Sequence, residues 1–572
     1  MHTTDSQRVA QLTADGLWGT DTLHSLLAAQ VAQRPNALAV ADQPNKIALT
    51  GDTPARLSFA ELAIASDALA AQLLDHGLGE GSRIMVQLPN ISELLVCFFA
   101  ASKLGAVLSP MPVQYGAHEI QMLAEMLEPA LFVACPNFRG EDLSSTVRDT
   151  LPDIPVLCVG QDIDCLATVL TTEANDALRQ HQLTLADDAN RIITVCWTSG
   201  TTGTPKGVPR SHNMWLATAR ATAEAAEYQS GERLLNPFPL VNMAAIGGFL
   251  YAATELGCAL FLHHPFDPPL YLQQIQDEQI NFTIAPPAVL NQLAAKPELW
   301  NAFDFKALRA IGSGSAPLSP AMIAKMENDY GKPVINFYGS NEGIALFATP
   351  HTAATPSLRA SCFPRFGVAQ MPWDNYVQRA VRSKIIDPDS GETIEEAGRA
   401  GELCFAGATV FDGYLGVSND GIFTPDGYFR TGDLVEICGE PPHYYQIVGR
   451  CKDIINRGGM KISPAEIDTL LEGYPGLTEA AVCGYPDSAL GEKICACIVV
   501  AQEHSAPDLD AICHYLSECG IAKFKLPERL AILTALPRNP MGKIVRTELQ
   551  AALLTATNIN NLGQSPNKDT TV

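Results

Sequence analysis

An apolar run, Ile192-Ile193-Thr194-Val195-Cys196-Trp197, feeds directly into Thr198-Ser199-Gly200-Thr201-Thr202-Gly203-Thr204-Pro205-Lys206-Gly207. Those ten residues hold five hydroxyls, three glycines and one lysine. Glycine lets a backbone fold closely around an anion and turn its N–H groups toward it, hydroxyls donate to anionic oxygens, and lysine supplies charge. The apolar run has the length of a buried strand, so the loop is expected at a strand end, where phosphate loops sit. It is not a Walker-type loop, because no Gly-Lys-Ser/Thr triplet follows the first glycine at the required distance.

The surrounding pattern supplies the sheet. Ser58-Phe59-Ala60-Glu61-Leu62 opens a helix with apolar positions at Leu62, Ala65, Leu69, Leu73 and Leu74. Ser58 and Glu61 have capping-box spacing, and Gly77 ends the helix. Arg83 to Leu88 reads as a strand, Asn90 to Lys103 as a helix and Ala106-Val107-Leu108 as a second strand, which makes a right-handed β-α-β unit. Further strands are expected at 282–285, 310–312 and 334–338. The fold class is α/β, with a large N-terminal domain of doubly wound α/β subdomains. Beyond Asp433 the pattern changes to a small α+β unit, with helices at 464–472 and 509–518 and strands at 479–483 and 493–500. We place the N-terminal domain at 1–449, the C-terminal domain at 450–556, and a polar, aperiodic tail expected to be disordered at 557–572.

A net charge of −24 argues against nucleic acid or an anionic membrane as partner, because both select basic surfaces. The longest apolar stretch, 243–262, contains Glu255 and three glycines, so it reads as buried helix and strand and not as a membrane span. The N-terminus lacks a signal core. Fifteen cysteines at irregular spacing fit a reducing compartment, and the expected location is cytoplasmic. Cys495-Ala496-Cys497 lies in an apolar run and reads as strand core.

The loop resembles the signature of the adenylate-forming (AMP-binding) superfamily, in its acyl-CoA synthetase and aryl-acid AMP ligase branch. Further matching segments follow in the family's order: Gly312-Ser313-Gly314-Ser315-Ala316-Pro317, Asn336-Phe337-Tyr338-Gly339-Ser340-Asn341-Glu342, Gly401-Glu402-Leu403, Tyr428 to Leu434, Gly449-Arg450-Cys451-Lys452-Asp453 and Pro540-Met541-Gly542-Lys543-Ile544. The resemblance implies an ATP-dependent ligase that turns a small carboxylic acid into an acyl-adenylate. It implies ATP and Mg²⁺ as cofactors, with Glu342 and Thr198 as metal-binding oxygens. Thr198, Ser199, Gly200, Thr201, Thr202, Gly203 and Lys206 would hold the phosphates. Gly314, Ser315 and Ala316 would line the adenine, Tyr338 and Gly339 would face the base, and Asn336 would bond its exocyclic amine. Asn341 stands where threonine is commoner, and its amide would donate to the α-phosphate. Asp433 would accept from the ribose hydroxyls, with Arg450 assisting. Lys543, Glu342 and Lys206 are the expected catalytic groups.

By the same resemblance, Lys452 is the hinge joining the two domains, and Gly458 and Gly459 line a thiol tunnel. The acid pocket is expected around Asn242, Met243, Gly247, Gly248 and Gly312. The stretch 236–250 holds no Asp, Glu, Lys or Arg, which favours an uncharged body for the acid, fatty, aryl or alicyclic. The acceptor is coenzyme A or a separate carrier protein's phosphopantetheine thiol. A monomer or a homodimer both fit.

Overall fold

The computed structural model describes residues 1–572 except 2, 165, 167–169, 187, 199–204, 315–316, 452, 458–459, 488–489, 539–543, 556–558 and 562–572. The chain forms two compact units, one of Met1–Ser383 with Cys404–Arg430, the other of Lys384–Leu403 with Thr431–Val572.

The first unit is built on two sheets. One has the strand order Val156–Cys158, Leu131–Ala134, Arg83–Gln87, Val107–Pro110, Ile192–Thr198, Lys206–Ser211, parallel except for the last pair. The other runs Ala345–Ala348, Val334–Gly339, Ala310–Gly314, Phe282–Ile284, Arg233–Asn236, Ala259–Leu262, Leu38–Ala41, Arg56–Ser58, parallel inside with an antiparallel strand at each edge. The apolar runs are continuous because both faces of these strands are covered. Ile84 and Val86 enter one core with Leu131 and Ile193, while Met85 enters another with Phe132 and Val195. The first of these cores is shared by both sheets, since Leu234, Leu260 and Phe282 also belong to it.

The expected β-α-β unit forms, with the Arg83–Gln87 strand parallel to Val107–Pro110 and the helix Ser92–Leu104 between them. The helix Phe59–Asp75 begins at the predicted capping box: Ser58 N–H donates to Glu61 Oε2 at 2.8 Å, and Glu61 N–H to Ser58 Oγ at 3.3 Å. The stretch from Met243 is helical through Leu256, with a π-helical turn at Ile246–Tyr251, and then becomes the strand Ala259–Leu262.

Next to that strand, His264 is 8% exposed and its Nδ1 has no partner. Gln43 brackets its peptide, donating to His264 O at 2.7 Å and accepting from its N–H at 3.0 Å. Burial, reinforced by His263 and Arg139, pushes the imidazole down to about 4. A folded pKa below the unfolded one means that the neutral ring's contribution is complete above about pH 6.5 and is lost as pH falls toward 4. At pH 4.5 the expected loss is about 2–3 kcal/mol. Urea denaturation of wild type and His264→Gln at pH 7 and pH 4.5 checks this: the variant should lose markedly less stability on acidification, and equal slopes would contradict it.

The second unit is α+β, as expected. Its centre is the antiparallel pair Leu477–Asp487 and Gly491–Val500, longer than the sequence pattern predicted, with Arg529–Ile532 added in parallel. Cys495 and Cys497 are fully buried in it. The helix Leu509–Glu518 falls where expected, and Pro464–Leu471 ends one residue early. Two expectations change. The compact second unit takes up the chain again at Thr431, ahead of the expected 449, and Asp433–Cys438 pairs with Tyr444–Arg450 inside it. The tail is not aperiodic throughout, because Ile559–Asn561 pairs antiparallel with the Arg529–Ile532 strand. The rest of that tail lies outside the described residues, as does the hinge residue Lys452.

Candidate active site

Thr198 and Lys206 face each other across the last rung of an antiparallel hairpin, Ile192–Thr198 with Lys206–Ser211. The sequence reading had a strand entering a loop; the chain also returns as a strand. Two prolines and a glycine hid it, and Pro209 is tolerated because this is an edge strand. Ser199, Gly200, Thr201, Thr202 and Gly203 lie outside the described residues.

Lys206 Nζ stands 4.6 Å from the ring centroid of Tyr414, within cation–π range. The Tyr414 hydroxyl donates to Glu342 Oε1 at 2.8 Å. Glu342 is 8% exposed, and its carbonyl accepts from Phe411 N–H at 2.9 Å. Leu415 N–H donates to Gly207 O at 2.9 Å, so the segment bearing Tyr414 is held against the Lys206 strand. Gly343 is needed beside it: φ is +109°, and a Cβ there would meet Thr409 O at 2.0 Å. The structure therefore brings two predicted residues, Lys206 and Glu342, together through a third that the sequence reading missed. Tyr414 is 72 positions from Glu342, and a single tyrosine carries no pattern at that range.

Asn341 is placed differently from expectation. Its Oδ1 accepts from Met243 N–H at 2.8 Å and its Nδ2 donates to Trp197 O at 3.3 Å, so its amide is engaged with backbone. Arg210, also missed, donates to Asn341 O at 3.0 Å. An arginine inside the run Gly207 to Ser211 was the available signal.

Ala310–Gly314, which carries the first part of the segment expected to line adenine, is a strand. Ser315 and Ala316 lie outside the described residues. A Cβ on Gly314 would sit 2.2 Å from Phe337 O, so close strand approach demands glycine there. Asn336 is buried and spends its amide protons on Arg359 O at 3.0 Å and Ala360 O at 3.1 Å, leaving only its carbonyl for an amine. Tyr338 is half-buried, its ring 5.6 Å from Phe363.

The expected acid-pocket residues divide. Met243 stays a candidate: its Cε lies 2.5 Å from where a Gly339 Cβ would be, so it packs against Gly339. Asn242 is a helix cap, with Oδ1 accepting from Ala245 N–H at 3.1 Å. Gly247 and Gly248 face the helix His212–Ala225, where added Cβ atoms would meet Thr218 Cγ2 at 2.7 Å and Thr222 Cγ2 at 3.3 Å. At Gly312 a Cβ would meet Ile284 Cγ1 and Phe337 Cε2, each at 2.7 Å. Asn242, Gly247, Gly248 and Gly312 are thus explained by capping and packing. Gly247→Ala is expected to destabilise by about 1–3 kcal/mol through overpacking. Its urea midpoint should fall; an unchanged midpoint would return Gly247 to the pocket.

In the second unit, Asp433 and Arg450 are opposed on neighbouring strands, with Arg450 Nε 2.7 Å from Asp433 Oδ1. The turn before Asp433 is fixed by Gly432 at φ +73°, by Gly432 N–H donating to Glu402 Oε1 at 3.0 Å, and by Thr431 Oγ1 donating to Leu403 O at 2.8 Å. Gly458, Gly459 and Lys543 lie outside the described residues. Among the described residues no helix is long and apolar enough to cross a membrane.

Comparison with known proteins shows the family and the fold. The AMP-binding enzyme family matches residues 32–415, and the AMP-binding enzyme C-terminal domain matches 466–543. The chain is 30% identical to triostin synthetase I of Streptomyces triostinicus, over 87% of this chain and 89% of that protein. It is 29% identical to the medium-chain fatty-acid–CoA ligase of Escherichia coli strain K12, over 96% and 94%. The fold is similar to that of ATP-bound MatB from Rhodopseudomonas palustris, with TM-score 0.74 and 24% identity over 92% of this chain and 98% of that one. With both family matches in order along one chain, and a hydroxyl-rich hairpin whose lysine is linked through Tyr414 to a buried glutamate, the protein belongs to the AMP-binding enzyme family.

Proposed function

We propose that the protein activates a small carboxylic acid with ATP and passes the acyl group to coenzyme A. The observation that carries this is the Lys206–Tyr414–Glu342 arrangement beside the hairpin loop. A carboxylate oxygen attacks the α-phosphorus and pyrophosphate leaves; the thiol sulfur then attacks the acyl carbon and AMP leaves. The first step crowds anions together, so preorganised cations and donors stabilise it. Lys206 supplies charge at the phosphates, and Tyr414 orients Glu342. Asp433 accepts from the ribose hydroxyls, and its pairing with Arg450 keeps the carboxylate aligned. Lys543 neutralises charge at the α-phosphate.

Magnesium takes oxygen donors, one or two carboxylates together with phosphates and water. Glu342 and the Thr198 hydroxyl are such a donor set, and they directly follow Asn341 and Trp197, which are hydrogen-bonded to each other. When bound there, the ion would neutralise phosphate charge.

Acid-dependent pyrophosphate exchange and coenzyme A thioester formation, across benzoate, salicylate, indole-3-acetate, octanoate and cyclohexanecarboxylate, test the proposal. Exchange with at least one acid and thioester from free coenzyme A are expected. Exchange without thioester would assign the acceptor to a carrier protein, as would transfer to a supplied phosphopantetheinylated carrier. No exchange with any acid would sink the reading.

A further inference from the structure

Arg210 poses a question that phosphate binding does not answer. It is fully buried, and its hydrogen bonds go to neutral oxygens: Nη1 to Asn341 O at 3.0 Å, Nη2 to Met214 O at 3.0 Å and to Thr218 Oγ1 at 2.9 Å. Its Nε has no partner, and its guanidinium stacks 4.6 Å from the Trp215 ring. Burial lowers its pKa to about 10, so it stays charged at neutral pH, where Glu342 acts on it through space. A cation buried without a bonded carboxylate is expensive, and a neutral side chain of that size would fill the space at less cost.

What the guanidinium holds is the Asn341 peptide. Asn341 is thereby fixed at three atoms: its carbonyl by Arg210, its Oδ1 by Met243 N–H at 2.8 Å, and its Nδ2 on Trp197 O at 3.3 Å. The two outer contacts belong to different parts of the site. Trp197 directly precedes Thr198 at the end of the hairpin strand. Met243 opens the helical stretch that continues into the π-helical turn at Ile246–Tyr251, a distortion often found at functional sites. A carboxamide is planar and rigid, so a shift at the Trp197 carbonyl moves the oxygen that holds Met243.

We propose that Asn341, held by Arg210, is a positioning residue that couples the nucleotide side of the site, at Trp197–Thr198, to the acid side, at Met243. The claim rests on the reading that MgATP binds beside Thr198 and Lys206. Nucleotide binding fixes the strand end, the amide transmits that constraint, and the first turn of the Met243 helix becomes ordered for the acid. Coupling of this kind needs a physical element that both sites bias, and the Asn341 side chain is that element.

The test uses the full chain and MgATP as the probe. Hydrogen exchange of the amides in residues 241–246 is followed by mass spectrometry with and without saturating MgATP, while calorimetry measures MgATP binding separately. In the wild type MgATP should slow exchange in this segment by about threefold or more. In Asn341→Ala the segment should exchange faster without nucleotide, and saturating MgATP should leave it unslowed. Asn341→Asp keeps the acceptor for Met243 N–H and loses the donor to Trp197. It should therefore retain protection without nucleotide and lose the response, which separates a lost link from a loosened fold. Asn341→Asp alone carries the test if the alanine variant does not fold. A wild type with no response, or variants that respond fully, overturns the coupling. Calorimetry showing no MgATP binding to the wild type overturns the functional reading and the coupling together.

Discussion

Glu342→Gln is expected to lower acid-dependent pyrophosphate exchange by about a hundred- to a thousandfold, the scale at which a single preorganised electrostatic group acts. The substitution keeps the shape and removes the charge. Glu342 is buried and aligned by Tyr414, so the neutral amide takes the carboxylate's place without its charge. Tyr414→Phe leaves the charge and the ring under Lys206 and removes the hydrogen bond to the Glu342 carboxylate, worth about 1.5–3 kcal/mol. Its loss should be the smaller, roughly ten- to a hundredfold. Exchange rates of the two variants at saturating ATP, with magnesium titrated, give the comparison. Higher magnesium should partly restore Tyr414→Phe and leave Glu342→Gln low. Near-wild-type exchange in Glu342→Gln would remove it from the mechanism.

Lys543→Ala should match that loss in the adenylation step, again about a hundred- to a thousandfold, while sparing the second step. The lysine's charge is needed where the α-phosphate becomes crowded, and thiol attack on an acyl carbon has no such need. Chemically prepared benzoyl-adenylate and octanoyl-adenylate, supplied with coenzyme A, isolate that second step. The variant should turn them over within a few-fold of wild type. Equal losses in both steps would mean that Lys543 serves the fold of its unit, and no loss in exchange would end its catalytic assignment.

Lys206, Glu342 and Asp433 stand out as candidates in the sequence because each sits in a short run of motif-like neighbours. Around Asp433, the left-handed Gly432 and the Thr431 hydroxyl that bonds Leu403 O are local devices, and they are visible as Thr-Gly-Asp. The acid side was less legible. Asn242 and the Gly247-Gly248 pair admit two readings from the chain alone, a pocket or a packed helix, and the approach of Thr218 and Thr222 selects the second. The amide of Asn341 misled in another way. A carboxamide can serve phosphate or backbone equally well, and its choice depends on whether Trp197 and Met243 are within reach.

By itself the sequence determined the alternation of elements, the two-faced apolar strands that demand a covered parallel sheet, and the caps. These follow from propensity and periodicity among neighbours in the chain. Only the tertiary structure decided that Tyr414 joins Lys206 to Glu342, that a buried Arg210 holds Asn341, and that the strand carrying Lys206 pairs back on Thr198. Such contacts join residues far apart in the chain, 72 positions for Tyr414–Glu342 and 131 for Arg210–Asn341, and they are set by how the sheets and helices pack. No local pattern records them.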